Sequence, residues 1–234
     1  MLIAPRPLRI FYAAADAATA DVPGSRIWYH NLYLPLTDLG HEVIRFDYDL
    51  GPHVPHRDFP LPQNQAFIHI YRPQLEAALL EQIEKAHGER PLDMFFSYFY
   101  SADITAATLQ RIHDMGITTV NWYCNGSYQF HLVSDIAPAY DYCLVPEKFR
   151  LEDYRRVGAT PIYCQEAANP HVYHPYDLPY EFDVTFVGQK YGDRPAYIRH
   201  LLDRGLDARV WGPRWQADSL DIPLWRKAGS RVKR

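Results

Sequence analysis

The sequence predicts an α/β fold: a Rossmann-like parallel sheet with helices on both faces, followed by an incomplete second α/β domain. Three observations carry this. From Leu8 to Gln165 short apolar runs alternate with helical repeats, as strands and crossover helices of a parallel sheet do. Between Ala168 and Asp183 the periodicity stops, and Pro170, Pro175 and Pro179 punctuate the chain in the manner of a linker. Beyond it, Val184-Thr-Phe-Val-Gly188, a helix from Ala196 to Leu202 and Asp207-Ala-Arg-Val-Trp-Gly212 read as the start of a second β-α-β domain, with too few residues left for its later strands. The expected division is 1–168 for the first domain, 169–182 for the linker, 183–212 for the partial second domain and 213–234 for a tail.

The elements follow in order. Leu8 to Ala13 is a short apolar run bounded by polar loop, as a buried parallel strand requires. Ser25 is placed to cap a helix in which Trp28, Leu32, Leu36 and Leu39 recur at helical spacing, with Gly40 as the stop. Pro35 inside it predicts a kink or two short helices. Glu42 to Asp47 is the second strand, and a loop rich in Pro and His follows from Gly51 to Pro62. The repeat Phe67, Ile70, Tyr71, Leu75, Leu79, Ile83 predicts a long helix from Ala66 to His87. Three strand-helix units come next: Asp93 to Tyr98 with Ile104 to Met115, Thr118 to Trp122 with a short irregular helix after Gly126, and Tyr142 to Val145 with Glu147 to Val157. Pro161 to Gln165 is the last strand of the series.

Composition excludes several classes. The chain of 234 residues is 47% hydrophobic and 22% charged, which is globular. A net charge of -4 gives no general attraction for nucleic acid or anionic lipid. The basic cluster Arg226, Lys227, Arg231, Lys233 and Arg234 reads as a solvated tail. Three cysteines, Cys124, Cys143 and Cys164, are widely spaced and form no C-x-x-C pair. That argues against a disulfide framework or a zinc site and fits a reducing cytoplasm. Asp16 interrupts the apolar run after Arg6 and Arg9, so this segment reads as a first strand and not as an export signal. No run of ~18 apolar residues predicts a membrane span. His53, His56 and Asp58 fall in one loop without the spacing of a metal site, and no metal is expected.

Ligands of open parallel sheets bind outside the carboxyl ends of the strands, so the candidates lie in those loops. The first loop lacks G-x-G-x-x-G; Gly24 and Ser25 either contact a ligand or merely turn and cap. In Ser97-Tyr-Phe-Tyr-Ser-Ala-Asp103, Tyr100 offers an aromatic face with a polar tip, and Asp103 is either a proton acceptor or a helix N-cap. Asn125 and Gly126 form a turn whose backbone can approach a ligand closely. Glu166 and Asn169 follow the last strand, Glu166 either orienting a substrate hydroxyl or standing solvated at a hinge. His30, in the first helix, is a candidate base or a packed side chain.

Several motifs together carry a family likeness: Ser25-Arg-Ile-Trp-Tyr-His-Asn-Leu-Tyr-Leu-Pro-Leu with Leu39-Gly-His-Glu-Val43, Val145-Pro-Glu-Lys-Phe149, Tyr154-Arg-Arg-Val-Gly158, Ala168-Asn-Pro-His-Val-Tyr-His-Pro175 and Val184-Thr-Phe-Val-Gly188. In order and spacing, from about Leu8 to Gly212, the chain resembles the GT-B glycosyltransferases of the CgeB-like (spore-maturation) group. The resemblance implies an acceptor-side first domain, a hinge at Asn169 to Pro175, and a donor domain whose first loop after Gly188 lies against a nucleotide-sugar diphosphate. Arg194 at the helix start is the matching phosphate ligand, in place of an obligatory metal. It also implies a nucleotide-sugar donor as co-substrate with no cofactor, and a hydroxyl acceptor. Most of the donor domain has no counterpart in this sequence. The short chain is accordingly expected to be inactive or weak alone, a partner chain could supply the donor half, and a non-catalytic binding module derived from such an enzyme is the alternative.

Overall fold

The computed structural model describes residues 6–15 and 26–215. Asp16, Gly24, Ser25 and the basic cluster from Arg226 to Arg234 lie outside the described residues, and with them the expected ligand contact and cap at the first loop. Contacts divide the described chain into one unit ending at Tyr173 and a second from His174.

The first unit is an α/β layer built on six parallel strands: β1 (Arg9–Ala13), β2 (Glu42–Arg45), β3 (Met94–Ser97), β4 (Thr118–Trp122), β5 (Tyr142–Val145) and β6 (Pro161–Tyr163). Their order is β2-β1-β3-β4-β5-β6, so the winding reverses beside β1, the arrangement of a Rossmann-like sheet. Register puts Tyr12 beside Phe96, Phe96 beside Val120, Trp122 beside Leu144 and Leu144 beside Ile162. Because side chains alternate along a strand, these residues share one face. That face carries the first helical segment: the Tyr12 ring packs at a tilt on Tyr33, 5.7 Å between centroids, and its hydroxyl donates to the Trp28 carbonyl. On the opposite face, Ser97 Oγ meets the Tyr140 hydroxyl and Cys143 Sγ donates to the Ala137 carbonyl. Leu75, Leu79 and Ile83 of α2 (Pro62–Glu89) and Leu109 and Ile112 of α3 (Ala106–Asp114) are fully buried in the same core.

Pro35 shapes the first helix as its chemistry dictates. A π-helical turn, Tyr29–Tyr33, precedes α1 (Leu34–Asp38), and the Leu34 N–H reaches back to the Tyr29 carbonyl. The wider turn relieves the crowding that a proline ring imposes on the carbonyl four residues earlier. Gly40, at φ 86, ends the segment.

Two sequence expectations are corrected. The loop after Gly51 contains a 3-10 turn, Gly51–His56, in which the His53 ring lies between Tyr48 and Phe67 while His56 stacks at 3.9 Å on Phe67. Helix α2 starts at Pro62, a residue suited to a first helical position because its missing N–H has no partner there in any case. Its buried face uses Ile68, Leu75, Leu79, Leu80 and Ile83, whereas Ile70 and Tyr71 are exposed. Tyr71 packs on Phe67 at 4.4 Å, so these aromatics join a surface cluster beside the 3-10 turn and not the core. After β4 come α4 (Gly126–Gln129) and, following β5, α5 (Leu151–Arg156).

The second unit pairs β7 (Val184–Val187) with β8 (Ala208–Trp211) in parallel, connected by α6 (Arg194–Asp203). Ile198, Leu202, Ala208, Val210 and Trp215 form its core. Among the described residues, no helix is long and apolar enough to cross a membrane, and no group of three His, Cys, Asp or Glu could hold a metal ion.

Candidate functional site

The first unit contains a cleft of about 640 Å³ on the face of the sheet that carries Trp28. That volume falls within the range of small-molecule sites. Phe96, Trp122 and Leu144 form its floor, from the ends of β3, β4 and β5. Trp28, Asn31, Leu32, Pro35 and Leu36 form one wall, and the strap Cys164–Ala168 with Tyr173 forms the other. The aromatic groups fix one another: Trp28 meets Trp122 edge-on at 5.5 Å and Tyr98 at 4.5 Å. Among the described residues no Lys, Arg or His lines it, and the polar side chains are few: Asn31, Gln165, Glu166 and the hydroxyl of Tyr173.

Among the described residues, Glu166 is the one carboxylate of the lining. Desolvation first, and the neighbouring charge of Glu147 second, push its carboxyl above the ordinary glutamate range. Glu147 is held in turn by the Ser127 N–H at 3.1 Å, while its Oε2 is buried with no hydrogen-bond partner. Burial pushes the Cys124 thiol up to about 11 and raises Cys164, so both cleft thiols stay protonated near neutrality. No family model and no curated protein matches the chain.

The structure moves several candidates away from this cleft. The loop from Tyr98 to Ile104 is buried throughout, and Tyr100 and Asp103 go with it. Asp103 Oδ2 accepts the Tyr100 N–H at 3.0 Å and pairs with Arg57 at 3.3 Å, while Arg57 lies over the Tyr100 ring at 4.5 Å. Asp103 is not the cap of α3 either: Thr105 takes that position and accepts the Thr108 N–H. Neither the catalytic nor the capping expectation for Asp103 therefore holds, because the carboxylate is spent on a buried cation. Tyr100 directs its hydroxyl to Tyr98 inside the protein.

Asn125 and Gly126 flank the cleft's Cys124 but serve the interior. Asn125 Nδ2 donates to the Tyr98 hydroxyl and its Oδ1 accepts from Tyr128. A Cβ on Gly126 would stand 3.2 Å from Glu147 Oε2, so this glycine gives the buried carboxylate room. Asn169 is 4% exposed and acts as a clasp, not a ligand contact. Its N–H donates to Asn31 Oδ1, its Nδ2 to the His30 carbonyl, and its Oδ1 accepts from His171. The strap that bears Glu166 is thus tied to the π-helical turn. His30 supplies a backbone carbonyl there; its Nδ1 is buried with no hydrogen-bond partner, and the residue does not line the cleft.

In the second unit, Arg194 donates to the Gln189 carbonyl and the Tyr191 hydroxyl and lies 3.8 Å over the Tyr191 ring. Gly188 accepts the Trp215 indole N–H at 2.7 Å. A Cβ on Gly212, at φ 133, would stand 2.3 Å from the Gly188 oxygen, which makes this glycine obligatory for the close approach. Of the sequence candidates among the described residues, only Glu166 lines the cleft. Trp28 reads from the sequence as a core position, and Trp122 as a strand residue; the hint that they meet is that each stands at the carboxyl end of the sheet.

Proposed function

We propose that the first unit is the acceptor side of a nucleotide-sugar-dependent glycosyltransferase of GT-B type, with Glu166 as the base that takes the proton of the acceptor hydroxyl. The observation that carries this reading is a lone carboxylate of raised proton affinity at the edge of an aromatic cleft. A carboxylate so perturbed is a better base near neutrality than a solvated one. The attacking oxygen bonds the anomeric carbon as the bond to the diphosphate breaks, and the proton passes to Glu166. No cation lines the cleft among the described residues, which suits a neutral acceptor and not a diphosphate. The donor belongs with the second unit, where Arg194 at the start of α6 and the Gly188 backbone are the matching phosphate contacts. The three cysteines are free thiols, the state that a reducing cytoplasm maintains.

Product formation by the purified chain with a panel of UDP-, GDP- and TDP-sugars tests the reading, with and without a partner chain supplying further donor strands. The expected result is sugar transfer that Glu166→Gln lowers by about 10²- to 10⁴-fold. Nucleotide or acceptor binding with no transfer under any of these conditions would replace it by a non-catalytic binding module.

A further inference from the structure

We infer that the acceptor is a neutral hydroxyl compound with an apolar alkyl or aryl body, which lies on the Phe96–Trp122–Leu144 floor with its hydroxyl toward Glu166 and, when long enough, extends over Ile162 beyond the cleft. This rests on the acceptor reading above and adds its substrate class. Three observations lead to it. The floor and one wall are hydrocarbon and aromatic, with Asn31 the sole polar side chain of that wall. A saccharide carries a hydroxyl on nearly every carbon, and those laid against the floor would lose their water without a partner. The apolar surface also continues past the cleft, because Ile162 pairs with Leu144 on the same face and is 44% exposed. A body longer than the cleft thus has an apolar bed to lie on. Charge points the same way: the charge of Glu147 acts on Glu166, and among the described residues no cation lines the cleft, so an anionic ligand meets repulsion there.

Calorimetric titration of the full chain, without donor, with primary alcohols from butanol to decanol, 2-naphthol, 2-naphthyl phosphate and maltotriose tests this. Affinity should rise about two- to fourfold per added methylene. 2-Naphthol should bind, its phosphate ester at least about tenfold more weakly, and maltotriose not measurably. Bound decanol should slow alkylation of Cys164, which lines the cleft. Glu166→Gln should narrow the gap between 2-naphthol and its phosphate. Ile162→Glu, at an exposed position that leaves the core intact, should weaken decanol but not butanol. A flat chain-length series would overturn the inference, as would maltotriose or the phosphate binding as tightly as the alcohols. Self-association abolished by Ile162→Glu, with no alcohol binding, would overturn it in favour of a second copy covering the face. Alcohol binding without sugar transfer would sink the glycosyltransferase reading alone, whereas transfer to saccharides without alcohol binding would sink this inference alone.

Discussion

Arg57 Nε stands 3.3 Å from Asp103 Oδ2, and neither side chain reaches solvent, at 8% and 0% exposure. This pair holds the Tyr98–Ile104 loop inside the protein, and it does so with atoms left over: Arg57 Nη2 and Asp103 Oδ1 are buried without hydrogen-bond partners. An ion pair of this kind is costly to break from one side, because the remaining charge stays buried.

Asp103→Asn and Arg57→Met should therefore each destabilise the chain by about 3–5 kcal/mol, with the double variant losing much less than the sum. Urea unfolding of the four proteins measures the coupling. A loss below about 1 kcal/mol for Asp103→Asn would show that the pair does not hold the loop. Alcohol binding by the folded fraction should be unchanged, since neither residue lines the cleft.

Asn169→Ala removes two side-chain hydrogen bonds, to the His30 carbonyl and from the His171 N–H. The expected loss is about 1–3 kcal/mol of stability, together with weaker ligand binding as the Glu166 strap loosens. Glu166→Gln, at an exposed position, should stay within about 0.5 kcal/mol of the parent. Thermal unfolding and titration of both variants separate a clasp from a contact residue.

The elevated Glu166 carboxyl fixes a pH dependence. As a base it must be ionised, so turnover should fall as pH drops through a pKa above the ordinary glutamate value of about 4.3. Removing the neighbouring charge with Glu147→Gln should move that limb to lower pH, since Glu147 is the second cause of the rise after partial desolvation. The stability term has the opposite sense. A raised folded pKa contributes stability that is present below the unfolded value and lost as pH rises through the folded one. A limb that stays in place in Glu147→Gln would remove Glu166 from the role.

Asp141 works in the other direction. Burial raises its carboxyl, but the Thr119 N–H and hydroxyl together with His113 outweigh that and leave it lowered. Its contribution is thus present above the unfolded aspartate value of about 3.9 and lost as pH falls through the folded value. Asp141→Asn should flatten the stability profile between about pH 4 and pH 2, read by denaturant midpoints across that range.

Gly212→Ala would set a methyl group against the Gly188 oxygen at a backbone angle that other residues rarely adopt. The cost of the strained backbone alone is about 1–3 kcal/mol, and the clash adds to it. Loosening should be confined to the β7–α6–β8 unit, visible as faster amide exchange from Val184 to Trp215 with the six-stranded sheet unaffected.

Much of this architecture was legible because parallel strands announce themselves as short apolar runs. Thr118–Trp122 has the same limits in sequence and structure, and the proline in the first helix produced the expected break, with the added detail of a π-helical turn. The α2 face was half-read, since Ile70 and Tyr71 fit the helical period but lie on the exposed side of the helix, while Ile68 takes the core side. The site was less legible. Tyr100 and Asp103 looked like a polar aromatic rim, and only tertiary contact reveals that Arg57, 46 positions earlier by number, neutralises the carboxylate. The residues that do build the cleft, Trp28 and Trp122, lie far apart in the chain and meet through strand order, which spacing does not encode.

Asn121 gives this asymmetry its physical origin. Its side-chain amide accepts from the Phe99 N–H and donates to the Phe99 carbonyl, both at 3.0 Å, two residues past the end of β3. The amide thereby imitates a rung of the ladder for a segment that has already left the sheet, and Phe99 can enter the core with both polar groups satisfied. The loop after β3 is consequently held inside the protein, whereas the strap that follows β6 runs along the cleft. One asparagine facing away from the cleft thus helps decide which of the chain's loops border it.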